Sequence, residues 1–211
     1  MRLENDWFDV FNWSSLIAHR SRLEALRGKT LTDICKVTIF ISPEDKAKQL
    51  EDFTRESKLP LTNLISREPG ILLLTFEDVT LGLIEERVRA ALHVHFEVNR
   101  KLLKEMIEAE IISSDLRFCA SAEPQYIEPR HHQFIGKKIQ ACSILRLKSP
   151  FERLERLERY GGLEFYFEDD TGFAYGPWIY DAPEGDPYPD DSCIMFLNEV
   201  DESKIEERMD L

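Results

Sequence analysis

Apolar residues recur along this chain in the same order twice. Gly28, Lys29 and Leu31 open a run with apolar, β-branched residues at Ile34, Val37, Ile39 and Ile41, which ends at Ser42-Pro43. Gly136, Lys137 and Ile139 open a second run that ends at Ser149-Pro150. Such runs predict strands over 30–41 and 137–147. Each copy continues with a Gly, an apolar stretch and the string Phe-Glu-Asp-x-Thr: Gly70 to Phe76, Glu77, Asp78 and Thr80, then Gly161 to Phe167, Glu168, Asp169 and Thr171. Both strings predict a hairpin, because Asp favours turns. Further strands are expected at His93 to Val98 and Cys193 to Leu197.

Helical patterns lie between and around these strands. Ser14 or Ser15 can cap a helix to Leu26 with Leu16, Ile17, Leu23 and Leu26 on one side, and Gly28 stops it as a left-handed residue would. Ser42, Pro43 and Asp45 start a helix that can run to Ser57; Ser149, Pro150 and Glu152 form a similar start. Asn99 can cap a helix to Ile112, and Glu202 to Met209 reads as a short helix. The expected fold class is α+β: two related units, mainly antiparallel sheets with helices packed on them. Residues 1–27 form an aromatic segment and helix, 28–112 the first unit, 113–130 a linker with Pro124 and Pro129, and 131–211 the second unit. A duplication accounts for four signals in one order.

Composition changes this picture little and charge changes it more. Apolar content of 43% and charged content of 32% fit a folded soluble chain. Met1 to Asp9 lacks the basic start and apolar core of a secretion signal, and no apolar run approaches the roughly 20 residues of a membrane helix. Cys35, Cys119, Cys142 and Cys193 are scattered, as expected of thiols in a reducing cytoplasm. The net charge is −13, and residues 160–211 alone hold 15 acids against Lys204 and Arg208. Such a field disfavours nucleic acid and anionic membrane and attracts a basic partner or cations; the alternative is that the charge serves solubility alone.

Candidate chemistry is sparse. His93, His95 and Glu97 share one face of a strand, so two imidazoles and a carboxylate could ligate a divalent metal; the alternative is a polar outer face. His131-His132 is a poor chelate on a strand and reads as a connecting element. Glu168, Asp169 and Asp170 could serve acid–base work, but their place predicts a turn. Asp181 to Asp191 carries three prolines and five acids beside Trp178 and Tyr180. A stiff, acidic, aromatic loop suits a basic protein surface, with Trp178, Tyr180, Asp181, Glu184, Asp186, Tyr188, Asp190 and Asp191 as the docking residues. No phosphate-binding glycine motif and no nucleophile elbow is present, so nucleotide binding has no support, a non-enzymatic chain is favoured over an enzyme, and no cofactor is expected.

Gly136, Lys137, Ile139, Leu163, Phe165, Phe167, Glu168 and Asp169 together resemble small α+β bacterial proteins of the immunity type, which neutralise toxins of neighbouring cells. The resemblance implies a non-enzymatic inhibitor. The leading expectation is therefore a cytosolic protein-binding module that docks a basic partner through its acidic C-terminal unit. The alternatives are a metal-binding protein or metal-dependent enzyme built on His93, His95 and Glu97, and a structural or oligomeric scaffold.

Overall fold

Two glycines with left-handed backbone, Gly28 (φ 81°) and Gly136 (φ 89°), turn the chain from a helical segment into the first strand of a sheet. The computed structural model describes residues 13–39, 70–86, 91–98, 116–120, 129–148, 160–177, 179 and 193–211. In the first sheet, strands β1 (Ser14–Ser15), β2 (Leu31–Ile39), β3 (Gly70–Phe76), β4 (Val79–Glu86), β5 (Ala91–Phe96) and β6 (Leu116–Ala120) lie in the order β1-β5-β4-β3-β2-β6. The second sheet holds β7 (Ile139–Leu147), β8 (Tyr160–Phe167), β9 (Gly172–Gly176), β10 (Cys193–Phe196) and β11 (Ile205–Asp210) in the order β10-β9-β8-β7-β11. All pairings are antiparallel. Leaving β1 aside, the two sheets have one topology: a four-stranded meander whose fifth strand returns beside the first.

The register agrees as well as the order. Leu31 pairs with Phe76 and Ile34 with Leu74; Ile139 pairs with Phe167 and Cys142 with Phe165. A bulge falls between Leu31 and Asp33 in one sheet and between Ile139 and Ala141 in the other. The hairpin turns differ by one residue. Phe76 pairs directly with Val79, whereas Phe167 donates its N–H to the carbonyl of Thr171. Asp170, at φ 62°, is the extra residue. Thr80 and Thr171, aligned by the sequence string, are therefore one step apart in the fold.

Inner faces of both sheets meet in one core. Leu72, Leu74, Phe76, Leu81, Leu83 and Val94 pack in the same cluster as Ile144, Leu163, Phe165, Phe173 and Tyr175. The Phe76 and Phe165 rings sit 5.9 Å apart between the sheets. Fully burying each such side chain contributes about 1.5–3 kcal/mol, so the sheets depend on one another. The outer face of the second sheet has its own smaller cluster, Leu145, Leu147, Ala174, Ile179, Met195, Val200 and Ile205. Residues 197–204 carry the chain from β10, at one edge, to β11, at the other.

Several local expectations change. The helix expected from Ser14 to Leu26 is divided: Ser14–Ser15 pair with β5, a 3₁₀ turn covers Leu16–His19, and helix α1 spans Arg20–Glu24. The segment Glu202 to Met209, expected as a helix, is a 3₁₀ turn at Glu202–Lys204 followed by β11. Pairing of β11 with β7, with Ser143 Oγ bonded to Asp210 at 2.8 Å, outweighs the helix propensity of its Glu residues. Strand β6 lies inside the stretch read as a linker. The described part of the chain is thus sheet-rich, with few helices. Helices expected over 43–57, 99–112 and 150–159 fall outside the described residues.

Candidate functional site

The acidic loop is attached where β9 ends and β10 begins, and the Gly176–Cys193 pair closes its base. Trp178, Tyr180, Asp181, Glu184, Asp186, Tyr188, Asp190 and Asp191 lie outside the described residues. What the structure places is the base. A Cβ on Gly176 would stand 2.3 Å from the carbonyl oxygen of Gly161, so β8 and β9 approach here as only glycine allows. Beside it, Asp201 donates its backbone N–H to the Ile179 carbonyl at 2.8 Å. The Asp201 carboxylate accepts from the Ser203 N–H at 2.9 Å, and bonding to Ser203 holds its pKa below the usual carboxylate range.

Charge in this half is distributed unevenly between body and loop. Its described residues from 129 onward hold ten acids against seven bases, a surplus of three. Seven of those acids are in ion pairs: Glu164 and Glu202 with Arg208, Asp169 with Lys137, Glu199 with Arg130, Asp201 with Lys204, and Glu206 and Glu207 with Arg146. Residues 180–192 hold five acids and no base. The body largely neutralises itself, and the larger share of the surplus belongs to the loop.

Arg208 is the centre of the polar outer face. Its guanidinium bonds Glu164, which is 1% exposed, at 3.1–3.3 Å, and Glu202 at 2.5 Å. The Tyr166 hydroxyl donates to Glu164 Oε2 at 2.8 Å. Burial, and then the Glu164 carboxylate, push the Tyr166 phenol up to about 12. Hydrogen bonding to Arg208 lowers the pKa of Glu202. A buried carboxylate needs such partners, because stripping its water is otherwise costly. This network ties β8, β11 and the turn before β11 together. It was not foreseen. Its signal in the sequence is Glu164, an acid at an alternate position of the apolar run Leu163–Phe167.

The turn acids have structural partners. Lys137 Nζ meets Asp169 at 2.7 Å, and this bond, then that from Thr171, lowers the Asp169 pKa to about 2. Lys29 meets Asp78 at 2.5 Å at the corresponding turn of the first sheet. Each lysine after a left-handed glycine therefore anchors the acid of a hairpin turn.

His93 and His95 do share one face of β5, opposite to buried Leu92, Val94 and Phe96. Glu97 does not join them. It leaves the strand at φ 66° and pairs with Arg22 at 2.6 Å. The His95 ring meets Trp13 edge-on at 5.9 Å. Among the described residues, no group of three or more His, Cys, Asp or Glu side chains is arranged to hold a metal ion. His131 and His132 lie in a 3₁₀ turn, Pro129–Phe134. No helix among the described residues is long and apolar enough to cross a membrane. No protein-family model, no curated protein and no solved structure matches the chain.

Proposed function

We propose that this chain is a non-enzymatic protein-binding module that docks a basic partner through the acidic loop 180–192, acting as an inhibitor of that partner in the manner of immunity proteins. The observation that carries the reading is the separation of charge: a body whose described acids are mostly paired internally, and a loop with five acids and no base, rooted in the β9–β10 hairpin where Gly176 lies close against Gly161. A loop held at both ends loses less entropy on binding than a free segment, and concentrated charge speeds encounter with an opposite surface. In this reading the two halves are α+β units arisen by duplication, with the segments 43–57, 99–112 and 150–159 as their helices. Burial of Cys35, Ile71 and Leu73 on the outer face of the first sheet supports such a layer.

The test compares the native chain with a loop variant carrying Asp181→Asn, Glu184→Gln, Asp186→Asn, Asp190→Asn and Asp191→Asn. Both are immobilised and exposed to an extract of the source cells at about 0.05 M and about 0.5 M salt. The native chain is expected to retain basic proteins at low salt, and the variant to lose them. Equal retention by both forms, or retention that ignores salt, refutes the reading.

A further inference from the structure

The junction between the first half (13–120) and the second (129–211) reads the same from either side. Gly28 N–H donates to the Ile139 carbonyl at 2.8 Å, and Gly136 N–H to the Leu31 carbonyl at 2.7 Å. Leu31 N–H donates to Lys137, and Ile139 N–H to Lys29, both at 2.9 Å. Thr30 and Lys138 form the antiparallel bridge at the centre. Each bond has its counterpart when residues 28–31 are exchanged with 136–139. The surroundings follow suit. Arg22 lies over the Phe96 ring at 4.3 Å and pairs with Glu97; Arg130 lies over Phe196 at 4.9 Å and pairs with Glu199. The Cys142 thiol of the second half bonds the Leu23 carbonyl of the first, so the helical turn of one half rests against the first strand of the other.

Contacts of this kind define an isologous interface, in which one surface is complementary to itself. We propose that the two halves are copies of a module built to pair with itself, and that the first half of one chain pairs with the second half of another to give a half-exchanged dimer. The partner is a second copy of this chain. Every junction bond and the whole shared core would be kept in the exchange, since neither half covers its inner sheet face alone. What changes is which chain supplies each half. A connector as short as 121–128 gives the intrachain pairing an effective concentration on the order of millimolar. Exchange therefore becomes visible on refolding at comparable protein concentration.

The bridge supplies the test. The flanking bonds make Thr30 and Lys138 a non-hydrogen-bonded pair, whose Cα atoms lie about 4.5 Å apart, within reach of a disulfide. Thr30→Cys and Lys138→Cys are made separately and together in the full chain. The double variant should form an intrachain disulfide. An equimolar mixture of the single variants, unfolded and refolded together at about 1 mM, should form a disulfide-linked dimer containing one chain of each kind. That dimer should exceed the amount formed by either single variant, or by the unaltered chain, refolded alone. Refolding at a hundredfold dilution should abolish it. A double variant that does not close its disulfide shows that the junction is not as described and overturns the proposal. So does a mixture that yields no more linked dimer than the single variants alone.

Discussion

His131 is 2% exposed, and its pKa is held down to about 3 by burial first, then by Arg130, Lys36 and His132, against the opposing hydrogen bond to the Ile194 carbonyl. In the unfolded chain the imidazole titrates near 6.5. Between those values the unfolded chain binds a proton that the folded chain refuses, so stability must fall as pH falls through this window. The loss approaches 1.36 kcal/mol per pH unit, about 2 kcal/mol by pH 5 and about 4 kcal/mol by pH 3. Above about pH 7 the histidine is neutral in both states and contributes no slope. The corresponding position in the first half is Leu23, fully buried. His131→Leu is therefore the natural perturbation. It forfeits one hydrogen bond, worth about 1 kcal/mol, and so shifts stability little at pH 8. At pH 5 it should leave the variant about 2 kcal/mol better off relative to the parent than it is at pH 8. Urea unfolding of both proteins between pH 8 and pH 5, followed by tryptophan fluorescence, gives the difference directly. The carboxylates with lowered pKa, among them Asp78, Asp169 and Glu202, lose their contribution at lower pH and cancel between parent and variant. A difference that stays constant within about 0.5 kcal/mol over this range would show that His131 is not buried as a neutral group.

Three further outcomes are expected. Arg208→Met alone should cost about 2–4 kcal/mol, less than a fully buried charge pair because Arg208 is 32% exposed, whereas Glu164→Leu with Arg208→Phe should be far milder. Leu73 and Phe118 hold the matching positions in the first sheet. Thermal melts of the single and double variants decide this, and strict additivity would contradict it. Gly176→Ala should destabilise by about 3 kcal/mol, since the new methyl meets the Gly161 carbonyl rather than a yielding side chain; an unchanged melting temperature would rule out the close approach at the loop base. Gly28→Ala and Gly136→Ala meet no atom within 4 Å, so each should lose only the left-handed backbone preference, about 1 kcal/mol and alike in urea midpoints.

Much of the strand plan was legible because its signals are local. Left-handed glycines, β-branched alternation and Asp-bearing turns act within a few residues, and Gly28, Gly136, β2, β3, β7, β8 and both hairpins lie where those signals placed them. The site was less legible. The acidic loop was read from composition alone, and its base at Gly176 and Cys193 emerged from pairing. Glu97 looked like a companion of His93 and His95, but an arginine 75 residues earlier claims it.

The sequence by itself determined where the repeated strands β2, β3, β7 and β8 lie, how they alternate and which acids turn the hairpins, since each depends on the backbone preferences of neighbours in the chain. Only the tertiary structure decided that β6 returns beside β2 and β11 beside β7, and that Glu202 to Met209 gives up its helical preference for the latter. It also decided that the inner faces close on one core and that Arg208 draws in Glu164 and Glu202. Those outcomes rest on apolar area and charge brought together from distant segments, and no local pattern encodes which distant segment will supply them.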